Sequence, residues 1–283
     1  MSIDPSRVAI LTVHGNGPDY TGKYANQYAW PRLQMAQLRR HTPQGYTVLA
    51  YGNAIIPEHK AYLRTCPEVE LRTSAEPLLR SFEHAWPIRN WLLRQAHRRF
   101  DYLITLDSDA FPVADGWLDR TLGLLTDDSP VVAVQRIENG DSHSDRCFMA
   151  FTSPAWRAHQ FDFSPIGSVD AGGGISAQLE ADHLGWTPLP RSNVWNPHQL
   201  TAGIYDDCIY HHAAGTRLPH FRCNHALWDT EEWPKEVLRH RGLMHLLFDN
   251  PEDFMARLRG LKSGFTEDAI LAAGRQVRAL ETA

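Results

Sequence analysis

Short apolar runs alternate with helical patterns along most of the 283-residue chain. Unbroken apolar runs are typical of buried strands, whereas apolar residues three and four positions apart indicate helices. The runs predict strands over 8–13, 46–51, 69–73, 102–106, 131–134, 147–152 and 209–212. The helical spacing predicts helices over 24–40, 58–64, 81–99, 115–125 and 175–184, and mostly helix after 228.

This alternation of strands and helices determines the expected fold class. It predicts an α/β domain with a mostly parallel central sheet flanked by helices. Residues 1–283 are expected to form a single domain, in which 225–283 are a helical C-terminal extension rather than a second core.

The most informative stretch is the strand 102–106, which ends in Asp107-Ser-Asp109. In open α/β sheets, ligands bind at the carboxyl ends of the strands. Two carboxylates this close repel each other unless a cation lies between them, and Mg²⁺ and Mn²⁺ prefer oxygen ligands and often accompany phosphates. The stretch therefore predicts a metal-bound diphosphate. The alternative is an acidic turn that caps the next helix.

Composition excludes several other classes. The net charge of -5 and the scattered basic residues argue against a nucleic-acid-binding protein. The sequence has no run of 18 apolar residues that would predict a membrane span, and its first residues show no apolar leader. The four cysteines lack the spacing of a zinc site or a disulfide framework, so reduced thiols and a cytoplasmic location are expected.

Three stretches, in this order, resemble nucleotide-sugar-dependent glycosyltransferases of the GT-A fold, of the Asp-x-Asp type. They are 102–109 (YLITLDSD), Asp170-Ala-Gly-Gly with Leu179 and Gly185 after it, and 209–217 (IYHHAAGTR). The resemblance covers about residues 8–220. It implies a GT-A fold, a Mn²⁺ or Mg²⁺ cofactor and a nucleoside diphosphate sugar as the donor substrate.

The resemblance also implies the metal ligands. Asp109 would bind the ion that bridges the donor diphosphate, and Asp107 would lie near the ribose or the metal. A histidine on a late strand, His211 or His212, would complete the set of ligands. Adjacent strand residues point to opposite faces, so only one of the two can bind the metal. The resemblance favours His211, because the metal-binding histidine of the family tends to follow two apolar residues, here Ile209 and Tyr210. The alternative is a purely structural histidine.

Four carboxylates are candidate general bases that would activate the acceptor hydroxyl. Asp170 is predicted to be the N-cap of the helix that follows it, and the resemblance places an acceptor-binding acid or base near this position. Glu138, in the polar stretch after the strand 131–134, is the second candidate. Asp206 and Asp207, just before the histidine-bearing strand, are the third.

The nucleotide-binding residues depart from the family pattern. Many related enzymes have an aspartate after the second strand that holds uracil, and here Asn53 would have to replace it. The loop 14–19, which begins with His14, would contact the nucleoside instead. Arg89 occupies a place where related enzymes often have an arginine near the nucleotide, but a solvated helix face is the favoured explanation for it.

The expected function is the transfer of a sugar, most plausibly from a UDP-sugar, to a hydroxyl of a soluble acceptor such as a small metabolite or natural product. Inversion is weakly favoured because Asp170 suits the role of base. The C-terminal aromatic residues would form either an acceptor wall or ordinary core; they are His220, Phe221, His225, Trp228 and Trp233.

Two other classes compete with this interpretation. A haloacid-dehalogenase-type phosphatase would use Asp107 as its nucleophile, but Phe111 departs from its motif and no lysine lies between Lys60 and Lys235. A non-catalytic nucleotide-sugar-binding module would keep the same residues without turnover.

Overall fold

The computed structural model describes residues 3–15, 29–53, 55–74, 85–140, 142–166, 171–213 and 233–282. Within these residues the strands are β1 (Val8–Gly15), β2 (Thr47–Asn53), β3 (Val69–Ser74), β4 (Tyr102–Asp107), β5 (Ala110–Pro112), β6 (Val131–Gln135), β7 (Ser144–Thr152), β8 (Thr187–Leu189), β9 (Gly203–Tyr205) and β10 (Ile209–His211). The helices are α1 (Trp30–His41), α2 (Pro57–Arg64), α3 (Trp86–Ala96), α4 (Trp117–Leu122), α5 (Ser153–His159), α6 (Gly173–Ala181), α7 (Trp233–Asp249), α8 (Pro251–Leu258) and α9 (Glu267–Thr282).

The central sheet has seven strands in the order β3-β2-β1-β4-β7-β6-β8. All neighbouring pairs are parallel except those of β7, which runs antiparallel to both β4 and β6. The predicted α/β class, with a mostly parallel sheet flanked by helices, is therefore confirmed.

The strand order reverses between β1 and β4, because β2 and β3 follow on one side and β4 lies on the other. Val13 of β1 lies opposite Asp107 of β4. Such a reversal opens a crevice at the carboxyl ends of the two strands, where ligands of open α/β sheets bind. The fold thus places the predicted acidic stretch at the point that favours a ligand site.

A second, three-stranded sheet has the order β5-β10-β9. The chain turns at Ser108 and Asp109, and β5 then pairs antiparallel with β10. Pro112 ends β5, an edge strand where the missing N–H removes no interior ladder bond. The last predicted strand, 209–212, therefore belongs to this small sheet and ends at His211.

Buried apolar side chains cover both faces of the central sheet. One face packs against α1, α2 and α4, and the other against α3, α5 and α6. A third cluster joins the small sheet to α1 and to the C-terminal helices through side chains such as Tyr210, Leu243 and Phe254. The C-terminal helices therefore share a core with the strand that carries His211.

Two local predictions are wrong. The N-cap of α6 is Gly172 rather than Asp170, which lies outside the described residues. The strand predicted at 147–152 begins three residues earlier, at Ser144, because Ser144 and Asp145 still pair with the end of β6 beyond a register shift at Ala133 and Val134. Among the described residues, no helix is both long enough and apolar enough to cross a lipid bilayer.

Candidate functional site

The turn that carries the two aspartates is held from inside the protein by Gln34 of α1. The buried Gln34 side chain donates hydrogen bonds from Nε2 to the carbonyl oxygens of Asp107, at 2.7 Å, and Ala110, at 2.8 Å. The Thr12 hydroxyl donates in turn to Gln34 Oε1 at 3.3 Å. These bonds satisfy the backbone groups that the turn leaves without a ladder partner. The end of β4 is therefore a fixed support for its carboxylates.

The pairing of β10 with β5 brings His211 to the same turn. His211 lies opposite Ala110, and the backbone N–H of His212 donates to the Asp109 carbonyl at 3.0 Å. His211 Nε2 consequently lies 3.6 Å from Asp109 Oδ1 and 4.0 Å from Asp107 Oδ2. One ligand atom from each of the three side chains lies within 4.8 Å of the other two. This cluster of Asp107, Asp109 and His211 is the acidic centre.

Arg89 and Arg146 balance the negative charge of the acidic centre. Arg89, a residue of α3 that is 2% exposed, donates a hydrogen bond from Nη2 to Asp107 Oδ1. Arg146 Nε of β7 lies 4.0 Å from Asp107 Oδ2. Burial alone raises the pKa of Asp107, but Arg89, followed by Arg146 and His211, outweighs that effect and lowers the pKa to about 2. Asp107 is therefore ionised at neutral pH. Because Arg89 is buried, the prediction that it lies on an exposed helix face is wrong.

The acidic centre has the donor set that a divalent cation needs. Two carboxylates and one imidazole suit Mg²⁺ or Mn²⁺. His211 is a buried residue, and the distances from its Nε2 atom to both carboxylates exceed those of a hydrogen bond. The three ligand atoms therefore lie close together, and His211 Nε2 is not hydrogen-bonded to either carboxylate. These residues fit a metal ion.

His212 belongs to a different environment from its neighbour. Its ring is completely buried, lies 5.2 Å from the Trp30 ring and 5.0 Å from the His240 ring, and is hydrogen-bonded through Nδ1 to the Tyr210 hydroxyl at 2.7 Å. Burial first, and the nearby histidines second, lower the pKa of His212 well below its usual value. The structure thus brings His211 to the aspartates and directs His212 into an aromatic core, as strand alternation requires.

Glu138 lies just beyond β6, in a network of its own. Its Oε1 atom accepts a hydrogen bond from the Tyr205 hydroxyl and lies 3.4 Å from Arg136 Nε and 3.7 Å from Arg191 Nη1. Arg191 donates further hydrogen bonds to backbone carbonyls of residues 198–202. Glu138 thus ties the small sheet to the central one, and its role as a base stays a prediction.

Asp170 lies outside the described residues, and Gly172, two positions later in the sequence, lies against β7. Gly172 has a φ of +97°, and a Cβ at this position would lie 3.1 Å from the Arg146 backbone nitrogen. The N-terminus of α6 therefore packs against the strand that supplies Arg146. Asp206, the third-ranked candidate, is paired with Arg120 at 2.6 Å in the tight turn between β9 and β10.

The two predicted nucleoside contacts end neighbouring strands. His14 lies opposite Gly52, and Asn53 lies opposite Gly15 at the carboxyl edge shared with Asp107. Asn53 Oδ1 accepts a 3.4 Å hydrogen bond from the Ser74 hydroxyl. His14 is 2% exposed, and burial, with His59 as a lesser cause, lowers its pKa to about 3. Neither ring nitrogen of His14 is hydrogen-bonded within the described part of the chain, and loop residues 16–19 lie outside that part.

Sequence reasoning missed two residues of the site. Gln34 carried a signal, because it is a polar residue on the helix face formed by apolar residues such as Leu38. Arg146 carried none, because it lies in a polar stretch that resembles a loop. Its strand position depends on pairing with a distant segment.

Comparisons with known proteins give only distant likenesses. No family model and no curated protein matches the sequence. Among solved structures, WbbM, described as a bifunctional glycosyltransferase, is 13% identical with a TM-score of 0.40, over 56% of this chain and 34% of WbbM. The glycosyltransferase GlyE of Streptococcus pneumoniae TIGR4 is 14% identical with a TM-score of 0.41, over 64% of this chain and 44% of GlyE. The apo form of GlyE is 13% identical with a TM-score of 0.41, over 65% of this chain and 45% of GlyE.

The chain therefore spans less than half of the length of each of these structures. At such scores the likeness does not assign an activity.

Proposed function

We propose that the protein is a divalent-metal-dependent glycosyltransferase that moves a sugar from a nucleoside diphosphate sugar to an acceptor hydroxyl. The observation that carries the proposal is the acidic centre, Asp107, Asp109 and His211, at the carboxyl end of β4 and beside the strand-order reversal. The sequence resemblance supports a UDP-sugar as the donor. A small soluble metabolite or natural product is the proposed acceptor.

The fixed charges of the site suit a diphosphate. Arg89 and Arg146 balance the two carboxylates of the acidic centre, so a bound divalent cation would keep its charge for the donor phosphates. Negative charge grows on the nucleoside diphosphate as its bond to the sugar breaks. Positive charge fixed in advance at that position stabilises the transition state more than the ground state.

The residues of the acidic centre divide the work. Asp109 and His211 would hold Mn²⁺ or Mg²⁺, which would supply a Lewis acid for the leaving diphosphate. Asp107 has one oxygen engaged by Arg89, which leaves Oδ2 for the metal or for the donor ribose. Gln34 keeps both carboxylates in place through the backbone of the turn.

We assign the general base to Asp170, with Glu138 as the second candidate. Asp170 precedes the α6 N-terminus, which packs against Arg146, whereas the Glu138 carboxylate already accepts from Tyr205 and faces two arginines. An ionised carboxylate beside the acceptor hydroxyl would take its proton as the sugar is transferred with inversion. Asn53, His14 and Arg89 are the proposed contacts to the nucleotide.

The phosphatase alternative gains less support from the same geometry. A phosphatase of that type needs Asp107 as a free nucleophile, whereas Arg89 is hydrogen-bonded to Asp107 Oδ1. The contact stabilises the carboxylate and reduces its nucleophilicity.

The first test is a thermal-shift panel of nucleotides and nucleotide sugars, each with Mn²⁺, Mg²⁺ or EDTA. A ligand at 100 times its dissociation constant adds about 2.7 kcal/mol, or roughly 5–10 °C in a domain of this size. One nucleoside diphosphate or its sugar should stabilise the protein in Mn²⁺ and lose its effect in EDTA. A response to phosphate mimics alone would instead indicate the phosphatase.

Asp109→Asn sharpens this test, because it removes a proposed metal ligand without changing the volume of the side chain. We expect donor hydrolysis or transfer to fall about 10²-fold or more. Binding of Mn²⁺, followed by electron paramagnetic resonance, should weaken in parallel. Asp127→Asn, at an exposed loop position, is the matched control. Normal turnover in Asp109→Asn would contradict the metal assignment, and tight donor binding without turnover in the wild type would indicate a binding module.

A further inference from the structure

A cavity at the carboxyl edge of the sheet lies away from the acidic centre, and its lining includes none of the residues of that centre. It has a volume of 350 Å³ and lies between α2 and the end of β3. Its lining consists of Ile55, Pro57, Lys60, Ala61, Arg64, Thr73 and Ser74. The helical members recur at positions i, i+3, i+4 and i+7, so a single face of α2 forms one wall.

The opposite wall is set by the alternation of β3. Val69 and Leu71 pack into the core beneath α2, and Thr73 continues on that face of the strand. Arg72 therefore points to the other face of the sheet, away from the cavity. The cavity thus combines the hydroxyl of Thr73 with the ammonium of Lys60 and the guanidinium of Arg64. Ser74 also borders the cavity, but its hydroxyl donates to Asn53 Oδ1.

The cationic groups of this cavity have no acidic partner among the described residues. The nearest glutamates of the β3 segment pair elsewhere, Glu68 with Arg39 at 2.6 Å and Glu70 with Arg99 at 2.9 Å. Two cations that share a wall repel each other, and they are stabilised when an anion lies between them. Ammonium, guanidinium and hydroxyl donors together are the groups that bind phosphate oxygens in proteins.

We propose that the cavity between α2 and β3 binds the phosphate group of a small ligand, at a site separate from the acidic centre. Strand β3 is three strands away from β4 in the sheet. At the usual spacing between strands, this separation is about 14 Å. A phosphate held by Lys60 and Arg64 would therefore not occupy the proposed metal site. The assignment does not depend on the identity of the transferred sugar.

The test is calorimetric titration of the full chain with inorganic phosphate, in EDTA and at constant ionic strength. We expect saturable binding to the wild type and an affinity lowered about tenfold or more in Lys60→Ala/Arg64→Ala, the loss expected for a charge-assisted hydrogen bond. Arg72 precedes Thr73 in β3 but points to the other face of the sheet. Arg72→Ala therefore removes one positive charge outside the cavity, and this variant should bind phosphate as the wild type does. Asp109→Asn should also bind normally, which separates this site from the acidic centre.

A second titration with glucose 6-phosphate identifies the source of the phosphate. Tighter binding than that of inorganic phosphate would show that the ligand is a phosphorylated small molecule, and equal binding would indicate free phosphate. If the double variant does not fold, Lys60→Gln alone should still weaken phosphate binding. Absence of phosphate binding to the wild type would overturn the proposal. So would a loss of phosphate affinity in Arg72→Ala as large as that in the Lys60/Arg64 double variant, or a loss seen only in Asp109→Asn.

Discussion

His211 and His212 are neighbours in sequence, yet they belong to regions of opposite character. His211 Nε2 lies within 4.0 Å of two carboxylates, in a polar site that two arginines balance. His212 lies among aromatic rings and is hydrogen-bonded to a tyrosine hydroxyl. The polar region around His211 is stabilised by charges that compensate one another, whereas the region around His212 is stabilised by the packing of aromatic rings.

The difference shows how much a single strand can decide. Because β10 pairs with β5, its alternation sends one imidazole to the end of β4 and the other towards α1 and α7. A slip of one residue in this pairing would exchange the two histidines. The C-terminal helices pack on the same small sheet, so they help to maintain the register on which the site depends.

Arg89→Met tests the dependence of the acidic region on charge compensation, and we expect the largest loss of stability from it. It removes the arginine that is hydrogen-bonded to Asp107 and leaves a mostly buried carboxylate without that partner. Loss of one member of such a pair costs about 3–5 kcal/mol. Urea denaturation should show this decrease in the free energy of unfolding, and saturating Mn²⁺ should restore part of it.

The matched control is Arg7→Met, which breaks an exposed pair with Asp101 in which both side chains are about half accessible. Exposed ion pairs contribute little, so this variant should unfold at nearly the wild-type urea concentration. Equal stability of the Arg7 and Arg89 variants would show that Asp107 does not need its arginine.

His211→Ala and His212→Ala should give crossed effects. His211→Ala removes a proposed ligand, so Mn²⁺ affinity should fall about 10–100-fold while the melting temperature changes little. His212→Ala leaves the buried Tyr210 hydroxyl without its hydrogen-bond partner and opens space beside Trp30. An unsatisfied buried group costs about 1–3 kcal/mol, so the melting temperature should fall by several degrees. Similar losses of both properties in both variants would contradict the division into two regions.

The sequence predicted the polar region better than the aromatic one. Asp107 and Asp109 follow a buried apolar run, so their position at the end of a strand was readable from local pattern. The choice of His211 over His212, by contrast, depends on which residue pairs with Ala110. Strand pairing joins segments about a hundred residues apart, and no local pattern encodes it. For the same reason, the contacts of Arg146 and Glu138 could not be predicted.

His14 extends the comparison, because it resembles His212 although it ends a strand next to Asp107. Burial, and to a lesser extent His59, lowers its pKa to about 3 from 6.5, so the folded protein holds the ring neutral while the unfolded chain protonates it below pH 6.5. The unfolded state therefore binds more protons between pH 6.5 and about 3, and stability falls as the pH drops through this window, by up to about 1.4 kcal/mol per pH unit. His14→Leu should flatten this dependence of stability on pH. The measurement is the free energy of unfolding in urea at pH 7 and at pH 5. His183→Asn, at an exposed position with a φ of 57° that asparagine tolerates, should keep the wild-type slope. An unchanged slope in His14→Leu would show that His14 gains a proton in the folded state, and would contradict its assignment as a neutral buried histidine.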